Sequence, residues 1–215
     1  MKEVKSILPQ NYGWLEVKLS DEEMDFLWKR IDEDKGGLNW KGHLVGNIDS
    51  SWVLNDKDDW FWENVLNKLC LNYYEEFGNV GAELPLMSTK CPYKLSTMWV
   101  NHQRQHEFNP LHHHVGVYSF VVWMKIPTSY EEQKKLPIAR KTKSREISNF
   151  TFCYTNIIGR SYNYTYHMSP EYEGTLLFFP SELQHVVYPF YNCRKERISI
   201  SGNIAVDISG GPKNL

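Results

Sequence analysis

The stretch that decides the fold is GTLLFFPSELQHVVYPFYNCRKERISISGNIAV, residues 174–206. Turn residues divide it into three β-prone runs, which predict strands at 174–179, 184–189 and 196–206. Similar runs upstream predict strands at about 93–101, 116–126, 149–157 and 162–168. Many short strands in series indicate a sandwich or barrel, because βαβ units would alternate strands with helices.

Two helices are predicted before these strands. Residues 20–32 begin with Ser20 and place Glu23 three positions on, which is a capping-box pattern. Residues 58–77 repeat an apolar side chain every four positions and end at a glycine, a natural helix stop. Between them, HLVGNIDSSWVL (43–54) is a candidate edge strand. The fold class is therefore mainly β with N-terminal helices.

The composition indicates a single domain over residues 1–215. Its parts are predicted as a helical N-terminal support over 1–80 and a β core over 81–206. The core is interrupted by a charged loop insertion, PTSYEEQKKLPIARKTKSRE, at 127–146. Such a stretch is either a solvated loop or a functional flap, and both readings stay open.

The bulk properties exclude several classes of protein. Hydrophobic residues at 41% and aromatic residues at 14% are typical of a globular chain. A formal net charge of −2 does not indicate nucleic acid or an acidic membrane as a partner. The N-terminus lacks an apolar leader, so we expect a cytoplasmic protein. The cysteines form no CxxC pair and are expected to be reduced thiols; they are Cys70, Cys91, Cys153 and Cys193.

The stretch NPLHHHVGVYSF, residues 109–120, groups three of the chain's eight histidines. In a strand, successive side chains point to opposite faces, so His112 and His114 would share one face and His113 would point away. Two imidazoles on one face are a pair of metal ligands if a third ligand arrives from elsewhere. The alternative is a polar loop in which the histidines are merely solvated.

A third ligand and a possible anion site lie in the C-terminal strands. His185 is predicted on one strand, and Arg197 and Ser199 share a face of the next. A guanidinium can grip a carboxylate with two parallel hydrogen bonds. Two histidines from one strand and one from another can occupy a single face of a metal ion and leave the opposite face open, as in non-haem iron sites.

These segments resemble the Fe(II)/2-oxoglutarate-dependent oxygenases. The motifs are NPLHHH with VGVYSFVVWMKIP, then GTLLFFPSELQHVVYPF and ERISISGNI, and the resemblance covers about 93–206. The resemblance is to the prolyl-hydroxylase-like branch and to short uncharacterised oxygenases of bacteria and their phages. A phage-encoded protein of this kind would be expected in the host cytoplasm. The resemblance implies a double-stranded β-helix, which is a jelly-roll, cupin-like barrel. It also implies a hydroxylase that uses Fe(II), 2-oxoglutarate and O2 on an unidentified peptide or small molecule.

The resemblance also implies roles for individual residues. His112 is the first iron ligand, His185 the distal one, and Arg197 binds the C5 carboxylate of 2-oxoglutarate with help from Ser199. Further candidates for contact with the co-substrate are Asn101 and Tyr118.

The sequence departs from the family pattern at the middle ligand. The usual triad is His-x-Asp/Glu…His, and His114 occupies the carboxylate position. Either all three ligands are histidines, or Glu107 substitutes for His114. We favour three histidines, because His114 has the right strand parity and Glu107 precedes the Asn-Pro turn.

Two functions of other classes remain as alternatives. A cupin-type dioxygenase or isomerase would use the same histidines without 2-oxoglutarate and would not need Arg197 as a clamp. A non-catalytic β-sandwich binding module would hold a structural zinc ion in a closed site.

Overall fold

The structure is a computed structural model that describes residues 3–7, 9, 11–84, 92–144 and 146–209. The β-strands of this part are β1 Leu15–Lys18, β2 Ser50–Val53, β3 Tyr93–Gln103, β4 Asn109–His112, β5 Tyr118–Lys125, β6 Phe150–Thr155, β7 Ser161–Tyr166, β8 Thr175–Pro180, β9 Gln184–Val187 and β10 Arg197–Val206. Its α-helices are α1 Asp21–Glu33, α2 Asn67–Phe77, α3 Tyr130–Gln133 and α4 Pro137–Arg140.

The strands form two antiparallel sheets. The major sheet has six strands in the order β1-β8-β5-β10-β3-β2, and the minor sheet has four in the order β4-β9-β6-β7. One apolar cluster joins side chains of both sheets, among them Trp123 and Phe179 of the major sheet and Phe152 of the minor sheet. The expected mainly β fold, a double-stranded β-helix of two facing sheets, is confirmed.

Side chains of the major sheet alternate between its two faces, and each face packs into its own apolar core. On β5, Val121 and Trp123 face the minor sheet, whereas Phe120 and Val122 pack toward the helices. On β10 the same alternation turns Ile200 toward the helices. Much of the major sheet is therefore buried on both faces, and Asn101 and Gln103 of β3 and Ser199, Ser201 and Asn203 of β10 line the space between the sheets.

The first helix follows its predicted cap. The Ser20 side chain accepts a hydrogen bond from the Glu23 N–H at 3.3 Å, and the Glu23 carboxylate accepts one from the Ser20 N–H at 2.7 Å. Leu27 and Ile31 of α1 are buried against the major sheet. The capping box predicted from the sequence is confirmed.

The second helix is less regular than predicted over 58–77. Asp56 caps its start, because its carboxylate accepts hydrogen bonds from the N–H groups of Phe61 and Trp62 at 2.8 Å. A π-helical turn, Trp62–Leu66, then precedes α2. The chain leaves α2 at Gly78 with φ of 84°, a conformation that glycine adopts without strain.

The N-terminal region is more than the helical support predicted over 1–80. It also contributes β1 and β2, which form the two edges of the major sheet. Strand β2 confirms the edge strand expected within 43–54, whereas β1 was not predicted.

The charged insertion at 127–146 contains the two short helices α3 and α4, and residue 145 lies outside the described part. Its first half is held to the barrel, since Gln133 donates to the Tyr191 carbonyl at 2.8 Å and accepts from the Tyr191 N–H at 2.9 Å.

Cys70, Cys153 and Cys193 are free thiols, as expected, and Cys91 lies outside the described residues. Within the described ranges, every helix is too short or too polar to cross a membrane.

Gly202 provides a test of the packing of β10. A Cβ there would lie 2.5 Å from the Phe120 ring and 2.8 Å from the Thr97 carbonyl oxygen. We expect Gly202→Ala to lower the free energy of unfolding by roughly 1–3 kcal/mol, the usual effect of overpacking. Urea unfolding measures this change. Gly42→Ala is the control, because a Cβ at Gly42 meets nothing within 4 Å; equal midpoints for both variants would contradict the packing.

Candidate active site

Pairing of β4 with β9 brings the first two histidines together. His112 at the end of β4 lies directly opposite His185 of β9. His114 follows just beyond the strand, where its N–H donates to the Ser181 carbonyl at 2.8 Å. One ligand atom from each of the three side chains lies within 4.8 Å of the others. His113 points away and is half exposed, as the parity of the stretch predicted.

Hydrogen bonds orient the three imidazoles. Nδ1 of His112 lies 2.7 Å from the Pro110 carbonyl oxygen, and Nδ1 of His185 lies 2.9 Å from that of Leu183. Nδ1 of His114 lies 3.0 Å from the side-chain oxygen of Asn203. Because carbonyl oxygens only accept hydrogen bonds, each Nδ1 carries the proton and each Nε2 keeps a lone pair.

These lone pairs meet at close range. Nε2 of His114 and Nε2 of His185 are 3.2 Å apart, although both are acceptors. Two acceptors at this distance repel each other unless a cation lies against both. The donor set therefore fits a metal ion, and imidazole nitrogen is a ligand that iron accepts.

Burial keeps the three imidazoles neutral. It lowers the pKa of His112 and of His185, and it lowers the pKa of His114 to about 4. A metal ion that binds near neutral pH therefore does not have to displace a proton from any of the three.

A cavity of about 410 Å³ opens beside the histidines, between the two sheets. No Asp, Glu, Lys or Arg of the described residues lines it. Strands β3 and β10 supply polar lining through Asn101, Gln103, Ser199, Ser201 and Asn203.

Three residues that line this cavity each have a buried side-chain polar atom without a hydrogen-bond partner in the described structure: Asn101 Oδ1, Trp99 Nε1 and Trp123 Nε1. Buried polar groups nearly always have partners, so these atoms indicate a cavity that receives a polar ligand.

Arg197 lies next to this cavity but does not line it. It is on the same face of β10 as Ser199, since the two residues pair with Gln103 and Asn101 of β3. Its side chain is 1% exposed. Nη2 donates to the carbonyl and hydroxyl oxygens of Ser148 at 2.8 and 2.6 Å, and Nη1 reaches Oε1 of Gln103 at 3.4 Å.

The guanidinium of Arg197 has no carboxylate partner among the described residues, and its Nε has no hydrogen-bond acceptor there. Burial lowers its pKa to about 9, so it still carries its charge at neutral pH. An uncompensated buried cation is unfavourable and creates a place for an anion.

One predicted position needs correction. Tyr118 was a candidate for contact with the co-substrate, but its ring packs on Tyr73, Tyr93 and Phe178 on the helical side of the major sheet. Tyr118 is not among the residues that line the cavity.

Glu107, the alternative third ligand, is not brought to the histidines. Its carboxylate instead accepts hydrogen bonds from the N–H groups of Arg104 at 2.8 Å and Asp49 at 3.3 Å. It therefore closes the turn before β4.

Other histidines have structural partners, as expected. His102 pairs with Glu196 at 2.9 Å, and His167 stacks on Tyr130. His106 packs edge-on against Tyr191.

His43 also has a partner, since it stacks on Trp40 with ring centroids 4.2 Å apart, and both residues line the cavity. Sequence reasoning missed this pair, since only the packing of the segment before β2 brings it there. It also missed Asn203, although continuing the Arg197-Ser199-Ser201 alternation would have included it.

Comparisons with known proteins agree with this geometry. Residues 97–203 match the family described as "Putative 2OG-Fe(II) oxygenase". A comparison with curated protein sequences gives no significant match.

Among solved structures, a Pseudomonas putida prolyl-4-hydroxylase superposes with a TM-score of 0.54 at 14% identity, covering 91% of this chain and 94% of that one. OsALKBH1 gives a TM-score of 0.48 at 13% identity, covering 91% and 100%.

The matched segment contains the three histidines, most of the cavity and Arg197. The chain belongs to the 2OG-Fe(II) oxygenases. It is an oxygenase whose cofactors and co-substrates are Fe(II), 2-oxoglutarate and O2.

The geometry of the histidines generates a first test of the site. We expect His112→Ala and His185→Ala to abolish stoichiometric Fe(II) binding, because each removes one of three converging lone pairs. His113→Ala is the matched control and should bind Fe(II) like wild type, since its ring points outward. Anaerobic Fe(II) titration measures the stoichiometry. Equal loss of iron in His113→Ala would contradict the arrangement.

Proposed function

We propose that this chain is a hydroxylase with a three-histidine iron site and a buried arginine as its co-substrate clamp. The proposed iron ligands are His112, His114 and His185, and the proposed 2-oxoglutarate contacts are Arg197, Ser199 and Asn101. The single observation that carries the proposal is a fully buried guanidinium, without an acidic partner among the described residues, beside a cavity that three neutral imidazoles also line.

When bound, iron(II) and 2-oxoglutarate supply the oxidation: decarboxylation to succinate and carbon dioxide is coupled to transfer of one oxygen atom of O2 into a substrate C–H bond. The chain itself holds the metal, orients the co-substrate and limits the access of water. The three histidines occupy only part of a metal's coordination sphere, which leaves positions for exchangeable ligands.

The clamp follows from the surroundings of Arg197. A carboxylate that enters beside Ser199 would meet the Nη1 group, whose contact with Gln103 is long at 3.4 Å. The bond from Nη2 to Ser148 would keep the guanidinium in place. The Ser199 hydroxyl faces the same cavity and can donate to the second carboxylate oxygen.

The charge of the site favours a dianionic co-substrate. Three neutral imidazoles leave the whole 2+ charge of the metal uncompensated, and no described acidic residue lines the cavity. Arg197 adds one further positive charge nearby. A molecule with two carboxylates can therefore neutralise both the metal and the arginine.

The alternatives differ at identifiable points. A cupin-type enzyme that does not use 2-oxoglutarate would leave Arg197 buried without an anion. A module with a structural zinc ion would have a closed site, whereas these histidines line a cavity of about 410 Å³. Both features favour the hydroxylase.

We also propose that residues 1–215 act as one domain, with the core over 81–206 built on the support of 1–80. The edge strands β1 and β2, which complete the major sheet, support this division. The free thiols Cys70, Cys153 and Cys193 of the described residues support a cytoplasmic location. A bacterial or phage origin, and a peptide or small molecule as the primary substrate, are suggested by the resemblance of the motifs alone.

Truncation of Arg197 tests the clamp. Loss of one partner of a buried charge pair costs about 2–5 kcal/mol, so Arg197→Ala should weaken 2-oxoglutarate binding at least about tenfold. Arg197→Lys should recover only part of this, because an ammonium cannot form the fork. Calorimetry on anaerobic, Fe(II)-loaded protein measures the affinity.

Arg104→Ala is the control for this experiment, because it removes an exposed arginine from the same end of the sheet. Iron binding should be unchanged in all three variants. Equal affinity of wild type and Arg197→Ala for 2-oxoglutarate would refute the clamp and favour the cupin-type enzyme.

Substitution of His114 tests the third ligand. His114→Asp recreates the usual carboxylate of the family and should retain Fe(II), whereas His114→Ala should bind it clearly more weakly. Anaerobic titration against a colorimetric chelator compares the affinities. If His114→Ala binds iron like wild type, the metal is held by fewer histidines than proposed.

A further inference from the structure

The three histidines are oriented in two different ways. Nδ1 of His112 and Nδ1 of His185 each bond the main-chain carbonyl two residues earlier, namely Pro110 and Leu183. These contacts are local and survive most side-chain changes elsewhere. His114 instead depends on the side chain of Asn203, which is 89 positions away in the sequence.

Asn203 is itself held in place. Its side-chain oxygen accepts a second hydrogen bond, at 2.9 Å, from the hydroxyl of Ser119. Ser119 lies directly opposite Asn203 where β5 pairs with β10, and it is fully buried. In this orientation the amide oxygen of Asn203 accepts from the Ser119 hydroxyl and faces Nδ1 of His114.

The pairing of β10 changes next to this residue. The register of β10 against β3 shifts between Asn203 and Ile204, as in a β-bulge. Bulges re-aim a side chain at the edge of a site. The sheet is thus irregular at the residue whose side chain reaches His114.

We propose that Asn203, held by Ser119, is a positioning residue that fixes the Nδ1–H tautomer and the ring orientation of His114. The proposal rests on His114 being a metal ligand, as in the proposed function. By accepting the Nδ1 proton, Asn203 leaves the Nε2 lone pair directed at the metal. It thereby gives a neutral imidazole, in the position of the family's carboxylate, a defined geometry.

Metal affinity measures this role without relying on turnover. Loss of a partner that orients a ligand typically weakens metal binding about 10- to 100-fold, so we expect a loss of this size for Asn203→Ala. Asn203→Asp keeps an acceptor for both hydrogen bonds and should bind at least as tightly as wild type. Ser119→Ala should fall between wild type and Asn203→Ala. The probe is Co(II) alone, titrated anaerobically and followed by its visible absorption.

A second measurement uses the metal-free protein. Long-range ¹H–¹⁵N NMR at neutral pH should show the Nδ1–H tautomer of His114 in wild type and in Asn203→Asp, and a mixture of tautomers in Asn203→Ala. Asn163→Ala, an exposed asparagine of β7, is the matched control and should behave like wild type in both measurements.

The outcomes separate this proposal from the proposed function. Wild-type affinity and an unchanged tautomer in Asn203→Ala would overturn the positioning role while leaving the metal site intact. Equal losses in Asn203→Asp and Asn203→Ala would also overturn it, because an acceptor would then not be what matters. If wild type binds no Co(II), the proposed metal site is wrong. The tautomer of His114 in the NMR measurement then still shows whether Asn203 orients its imidazole.

Discussion

The site depends on one constraint, the register of the short strand β4 against β9. This register sets His112 opposite His185 and leaves His114 just beyond the strand, where the Ser181 carbonyl holds its backbone. A slip of one residue would turn His113 inward and both neighbours outward, since side chains alternate along a strand. The convergence of three lone pairs is therefore a property of the pairing of two strands of four residues each.

The cavity is distinguished by the charges that it lacks and by those that lie next to it. Its described lining contains no Asp, Glu, Lys or Arg, and burial lowers the pKa of His112, His114 and His185, which favours their neutral form near pH 7. The charges that matter are a metal ion and the buried guanidinium of Arg197. Since the described chain supplies no anion to either, the proposed clamp would have the co-substrate neutralise both, which would link the affinity for 2-oxoglutarate to metal loading.

In the proposed site, His114 stands where the family usually has a carboxylate ligand, and part of the control of the metal would then lie outside its direct ligands. A carboxylate would bring its own negative charge, whereas a neutral imidazole depends more on the group that accepts its second N–H. In this chain that group is the side chain of Asn203, supported by Ser119. If the proposed ligands hold, changes in Asn203 or Ser119 would adjust metal affinity without changing a ligand.

The sequence by itself determined the features that follow from local patterns of residues, such as alternation along strands and helix capping. Alternation predicted most strands, Ser20 and Glu23 predicted the cap of α1, and parity predicted that His113 would point away from its neighbours. The tertiary structure decided what depends on contacts between distant segments. It placed Tyr118 on the helical face of the sheet, used Glu107 in a turn, and brought Trp40 and Asn203 to the site. These contacts join residues far apart in the chain, and the side-chain period of a single strand carries no information about which other strand it will face.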